Sequence, residues 1–249
     1  MIHKAVILAA GKGTRMRELT DEMPKPMLPV RGKPILEHIV TGMRDAGITD
    51  FCIITGWHAE KIETYFGDGM AFGVKISYIR QETQDGTGSS VALARDFVGG
   101  EHFLMSYGDI MVEKPIYAGI VKRFSEGSFD GTVSVLGDTQ LNKALGLFLF
   151  DADFVLAHLI EKPSDDEIAE LHKEGWLKKG DTFWYNAGIF VFPPSIFKYL
   201  SRIKKSPRGE YELMDALTLA IRDKERYAGC MIKGSWADVR DPEILASLQ

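Results

Sequence analysis

An α/β fold, with helices packed on both faces of a doubly wound and largely parallel sheet, is predicted by two features of the 249-residue chain. Short β-rich apolar runs alternate with stretches of helical period through the first half, and the first of these runs opens directly into a glycine-rich turn. Residues 5–8, 51–55, 74–80, 103–106 and 132–136 read as strands, and residues 35–46, 61–66, 89–97 and 116–124 as helices between them. Ligands on such a sheet gather at the carboxyl ends of the strands. The second half is less regular: 147–150 and 189–192 read as strands, and a polar helical stretch over 165–174 between them marks an inserted lobe. Helices over 211–221 and from 242 onward close the fold.

Composition excludes several classes of function. The chain is 45% hydrophobic and 26% charged, with no apolar run near the roughly 20 residues of a membrane span, so no membrane partner is expected. The N-terminal residues enter the first strand without the apolar run and cleavage site of a secretory leader, which reads as cytoplasmic. A net charge of -5 argues against nucleic acid as a partner, because phosphate contacts along a polymer need a basic surface. Cys52 and Cys230 sit in apolar strand-like runs and read as buried free thiols. The six histidines show no pair at metal-ligand spacing. One domain over residues 1–249 is expected.

The turn after the first strand carries the first candidate site. Leu8, Ala9, Ala10, Gly11, Lys12, Gly13, Thr14 and Arg15 form a small-residue segment with cations, in which glycines let backbone N–H groups approach a ligand and Lys and Arg neutralise a polyphosphate. Met16 stands where a dinucleotide fingerprint needs its third glycine, which disfavours a dehydrogenase, and no Gly-Lys-Ser/Thr follows at P-loop distance. Pro24, Pro26 and Pro29 then hold an extended segment that carries Lys25 shortly after the cradle.

The pairing of Leu8-Ala9-Ala10-Gly11-Lys12-Gly13-Thr14-Arg15-Met16 with Pro24-Lys25-Pro26-Met27-Leu28-Pro29 resembles the signature of the sugar-1-phosphate nucleotidylyltransferases. The resemblance runs from Ala5 to Asp238. It implies a Rossmann-like doubly wound mixed sheet in three αβα layers, of the GT-A-like nucleotide-diphospho-sugar transferase type. A nucleotide-binding half is expected over about 1–110 and a sugar-binding half over about 111–240. The implied reaction joins an NTP, UTP or dTTP favoured, to a sugar 1-phosphate, glucose 1-phosphate favoured, with Mg²⁺ as cofactor. Cytidylyl or guanylyl transfer to another sugar or polyol phosphate, and a non-catalytic nucleotide-sugar-binding regulatory subunit, are the alternatives.

Residue by residue, the resemblance makes the turn from Leu8 to Thr14 the triphosphate cradle, with Arg15 and Lys25 as charged groups at the reacting phosphates. Gln81, Gly86 and Thr87 match the nucleobase segment, although Gly88-Ser89-Ser90 replaces the family's usual continuation. Gly108 and Asp109 end an apolar strand; Asp109 and Asp238, the latter inside Ser235-Trp236-Ala237-Asp238-Val239, match the metal-binding aspartates. Gly146, Glu161 and Asn186 match sugar-binding positions, and Lys162 the cation that meets the sugar phosphate. The Glu-rich segment 208–217 resembles a helix start and is expected to be structural. A homo-oligomer is compatible with the family.

Overall fold

The computed structural model describes residues 2–143, 145–178 and 180–249; Met1, Ala144 and Lys179 lie outside the described residues. Its first half follows the alternation predicted above: β1 (Lys4–Ala9), a two-strand ribbon of β2 (Pro29–Val30) and β3 (Lys33–Pro34), α1 (Ile35–Asp45), β4 (Asp50–Thr55), α2 (Ala59–Phe66) and β5 (Lys75–Arg80). There follow α3 (Thr87–Leu93), α4 (Arg95–Val98), β6 (Phe103–Tyr107), β7 (Ile110–Val112), α5 (Pro115–Ser125) and β8 (Gly131–Asp138). The second half holds β9 (Leu147–Phe150), β10 (Leu156–Ile160), α6 (Asp165–Lys173), β11 (Phe183–Phe192), α7 (Ile196–Leu200), α8 (Leu213–Arg222), β12 (Tyr227–Met231), β13 (Trp236–Asp238) and α9 (Pro242–Ser247).

The main sheet runs β10-β9-β11-β6-β1-β4-β5, with β8 added to β11 and β12 to β8. The block β5-β4-β1-β6 is parallel, whereas β11 runs antiparallel to β6, β8 and β9. The sheet is therefore mixed, as the family resemblance implied, and less parallel than the alternation alone suggested.

Strand alternation sorts the core into two layers. Along β1, Ala5, Ile7 and Ala9 pack with Ile35, Leu36, Ile39 and Met43 of α1 and Tyr117 and Ile120 of α5 on one face. Val6 and Ala10 face the other way, against Val91 of α3, Ile196 of α7 and Leu213 and Leu217 of α8. Met16, the residue that breaks the dinucleotide fingerprint, is wholly buried in the first layer. Its packing gives the turn after β1 an apolar anchor in place of a third glycine.

Several elements differ from the sequence reading. The helix expected over 89–97 is divided into α3 and α4 at Ala94 (φ -79°, ψ 3°). α8 begins at Leu213 rather than Tyr211, because the Tyr211 backbone is committed elsewhere: its N–H donates to Asp85 O (2.7 Å) and its carbonyl accepts from Gly88 N–H (2.7 Å). β11 starts six residues before the expected strand, and its N-terminal half lies between β8 and β9. The predicted lobe helix is α6, closed by a Ser164/Glu167 capping box and packed through Leu171 near Leu147, Leu149 and Tyr185.

Candidate active site

A cleft of about 600 Å³ opens at the carboxyl ends of β1 and β6. One wall is the turn after β1. Gly13 adopts φ 65°, and a Cβ there would stand 3.0 Å from Lys25 Cβ, so glycine lets the turn lie against the second motif. Gly108 has a parallel role: its N–H donates to Leu8 O (2.9 Å), and a Cβ would come within 2.8 Å of that oxygen.

Two distant segments deliver the paired aspartates. Asp109 sits between β6 and β7, and β13 pairs antiparallel with β7, placing Asp238 opposite Ile110. Val239 N–H donates to Asp109 O (3.0 Å), and Trp236 Nε1 donates to Ala187 O (2.9 Å), tying this small ribbon to β11. Lys25, 8% exposed on its proline-stiffened loop, reaches both acids: Nζ lies 2.5 Å from Asp109 Oδ2 and 4.0 Å from Asp238 Oδ1. Burial and the facing Asp109 push the Asp238 carboxyl above its ordinary value, against the pull of Lys25, Arg240 and Arg15. Two acids held together with one lysine between them form a charge arrangement suited to an incoming cation.

The segment expected to meet the nucleobase is internally braced. Gln81 Nε2 donates to Ser89 Oγ (2.9 Å) and Gly86 O (3.2 Å), and its Oε1 accepts from the Ser90 hydroxyl (2.6 Å). Both amide hydrogens are thus committed within the loop, and a carbonyl lone pair is left. Gly86, at φ 119°, lies so close to the 210–213 segment that a Cβ would meet Tyr211 O at 2.4 Å. Thr87 faces the cleft, but its hydroxyl accepts Leu213 N–H (3.1 Å) and so caps α8.

At the other end, Gly146 directly precedes β9 and Glu161 directly follows β10. They are close neighbours: a Cβ on Gly146 would come within 2.4 Å of Glu161 Oε2. Asn186 lies at a register shift in β11, where its Oδ1 accepts Gly188 N–H (2.8 Å).

The cleft thus brings together Leu8, Ala9, Ala10, Gly11, Gly13, Thr14 and Arg15 with Lys25, Gln81, Gly86, Thr87, Gly108, Asp109, Gly146, Glu161, Asn186 and Asp238. It does not bring in Lys12 or Lys162. Lys12 Nζ lies over the Trp57 ring, 4.5 Å from its centroid, and Lys162 is exposed outside the cleft wall at φ 51°. The structure adds Gln84, Tyr107, Glu210, Trp236 and Arg240 to the walls. Glu210 belongs to the segment expected to be structural; its cleft position follows from the tie between Tyr211 and the nucleobase loop. Neighbouring Arg208 is salt-bridged to Glu212 at 2.8 Å.

Among the described residues, no helix is long and apolar enough to cross a membrane. The family described as "Nucleotidyl transferase" matches residues 4–247. The chain is 35% identical over 238 residues to the bifunctional protein GlmU of Methanococcus maripaludis, covering 96% of this chain and 51% of that protein. It is 33% identical over 236 residues to a glucose-1-phosphate thymidylyltransferase of Streptomyces griseus, covering 94% of this chain and 62% of that protein. The chain therefore spans between half and two thirds of the length of these relatives. A UDP-glucose pyrophosphorylase from Acinetobacter baumanii superposes with a TM-score of 0.83 at 20% identity, over 100% of this chain and 92% of that one, and shares the fold. With the glycine-rich turn, the lysine loop and the rest of the match spanning nearly every residue, the chain belongs to the nucleotidyl transferase family, among the sugar-1-phosphate nucleotidyltransferases that its motifs resemble.

Proposed function

We propose that this cleft transfers a nucleotidyl group from a nucleoside triphosphate to a sugar 1-phosphate and releases pyrophosphate. One observation carries the reading: a phosphate-type turn, a lysine between two aspartates, and a polar end lined by Gly146, Glu161 and Asn186 share one continuous cleft. An ionised oxygen of the sugar phosphate attacks the α-phosphorus in line, a new P–O bond forms, and the bond to the β-phosphate bridging oxygen breaks. Since the attacking oxygen is already anionic, no side chain need remove a proton. The N–H groups of the turn and Arg15 bind the departing pyrophosphate, and Lys25 offsets charge at the reacting phosphates.

Asp109 and Asp238 fit a hard divalent cation: both donors are carboxylate oxygens, and among the described residues no third His, Cys, Asp or Glu completes a protein cage. Magnesium in particular prefers such partial protein ligation, with water and substrate phosphates in the other positions. When bound, the metal supplies charge neutralisation at the phosphates.

UTP or dTTP and glucose 1-phosphate are the favoured pair. The carbonyl lone pair left on Gln81 accepts from an imide N–H, which uracil and thymine have at N3 and cytosine lacks. Guanine also offers an N–H, so the base requires a direct test. The activity named for the Streptomyces relative supports both choices. Incubation with Mg²⁺ and panels of triphosphates and sugar 1-phosphates, with the nucleotide sugar identified by mass, is expected to give most product from a uracil or thymine triphosphate with glucose 1-phosphate. Preference for CTP would overturn the base reading. Nucleotide binding without product from any pair would favour the regulatory-subunit alternative.

A further inference from the structure

The phosphate turn is not held by its own residues alone. The loop between β4 and α2 lies against it and against the segment that follows. At the start of the turn, Ala10 O accepts Trp57 N–H (3.1 Å), and the approach is close enough that a Cβ on Gly56 would come within 2.6 Å of the same oxygen. Beyond the turn, at the end of the 3-10 helix Thr14–Thr20 that continues it, Trp57 Nε1 donates to Thr20 O (2.9 Å), and His58 Nε2 lies 2.8 Å from Asp21 O. Midway, Lys12 rests over the indole at 4.5 Å. Gly11 and Gly13, on either side of Lys12, face the cleft, whereas Lys12 does not.

We propose that Trp57 is a positioning residue for the phosphate turn, and that Lys12 is the clasp by which the turn grips it rather than a ligand for the triphosphate. This inference rests on the functional reading above only in taking the turn as the triphosphate site. The physical logic is preorganisation. A glycine-containing turn has many conformations to lose on binding, and a residue that holds its start through a backbone N–H, and Lys12 and the segment after it through its side chain, removes part of that loss beforehand. The indole N–H is donated to a backbone carbonyl and the ring face is given to a cation, so one side chain makes both contacts. Phenylalanine keeps the face and loses the N–H; leucine loses both.

The test compares wild type with Trp57→Phe, Trp57→Leu and Lys12→Met. Trp57 is only partly buried, so the variants are expected to fold. Trp57→Leu should raise the KM for the triphosphate roughly tenfold, Trp57→Phe roughly threefold and Lys12→Met two- to threefold, with the KM for the sugar phosphate within twofold of wild type. Amide hydrogen exchange over residues 11–22 should accelerate in Trp57→Leu, with β1 and β4 unchanged. Equal losses toward both substrates, or a triphosphate KM within twofold of wild type in Trp57→Leu, would overturn the positioning role. A tenfold or larger loss in Lys12→Met with no change in exchange would make Lys12 a direct phosphate ligand and overturn the clasp. Wild-type turnover is read first. If it is absent, the functional reading fails, and the same variants are compared by equilibrium binding of the triphosphate, where the same fold-changes in Kd are expected and their absence overturns the inference.

Discussion

Lys25 sits where three requirements meet. Its ammonium group pairs with Asp109 at 2.5 Å, approaches Asp238 at 4.0 Å, and lines the cleft in which the proposed reaction would take place. A metal and a lysine therefore compete to neutralise the same carboxylates. In Lys25→Met, turnover is expected to fall about 10²- to 10³-fold, while calorimetry without nucleotide shows tighter divalent-cation binding than wild type, because the resident cation has been removed. Unchanged or weaker cation binding would mean that Lys25 does not act on the aspartates in this way. At this scale the sequence revealed which residues carry charge at the site, since Arg15, Lys25, Asp109 and Asp238 are fixed by motif. It did not reveal where a long side chain points: Lys12 lies between two cleft glycines yet turns to Trp57, and Trp57 itself belongs to no motif.

Between elements, the loop before α3 and the start of α8 behave as one unit, joined by the hydrogen bonds of Tyr211 to Asp85 and Gly88 and of Leu213 to Thr87. Gly86→Ala should destabilise the protein by about 1–3 kcal/mol in denaturant melts and raise the triphosphate KM, because φ 119° is closed to alanine and its Cβ would strike the Tyr211 carbonyl. Wild-type stability in that variant would show that the two segments separate freely. In α1, Glu37 is 7% exposed and receives hydrogen bonds from Lys33 (2.6 Å) and Tyr65 (2.6 Å). Burial raises its carboxyl, but the two donors and the Lys33 and His38 charges outweigh burial and leave it below its ordinary 4.5. A depressed carboxylate stabilises the fold above its unfolded value and loses that contribution as pH falls through the folded one. Glu37→Gln should therefore cost about 1–2 kcal/mol at pH 7, and the gap from wild type should narrow below pH 4.5 in urea melts. A gap that stays constant to pH 3 would remove the charge from the explanation. The elements legible beforehand were those with a clear apolar period and little dependence on distant partners, such as β1, α1 and β4. β10 escaped because Leu156–Ile160 is short and interrupted by a polar residue and becomes a strand only through pairing with β9, whereas the strand-like run around Cys230 is β12, paired with β8.

Over the whole molecule, the sheet works as a frame with two ends. The parallel block β5-β4-β1-β6 presents the glycine-rich turn and Asp109 at one end of the cleft, and antiparallel β11, between β6 and the added strands, carries Asn186 toward the other. The class of fold was readable because alternation fixes a layered sheet, but the antiparallel strands were implied only by the family resemblance, since strand direction depends on connections that local alternation does not encode. The cleft at the junction of the two parts is the basis of the proposed reaction. The most direct test is pyrophosphate release from a triphosphate and Mg²⁺, with and without a sugar 1-phosphate, by wild type, Asp109→Asn and Asp238→Asn. The account predicts release by wild type only when the sugar phosphate is present, in equal amount to the nucleotide sugar formed, and a loss of at least roughly 10²-fold in each variant. Release that ignores the sugar phosphate, or that survives in both variants, would contradict it.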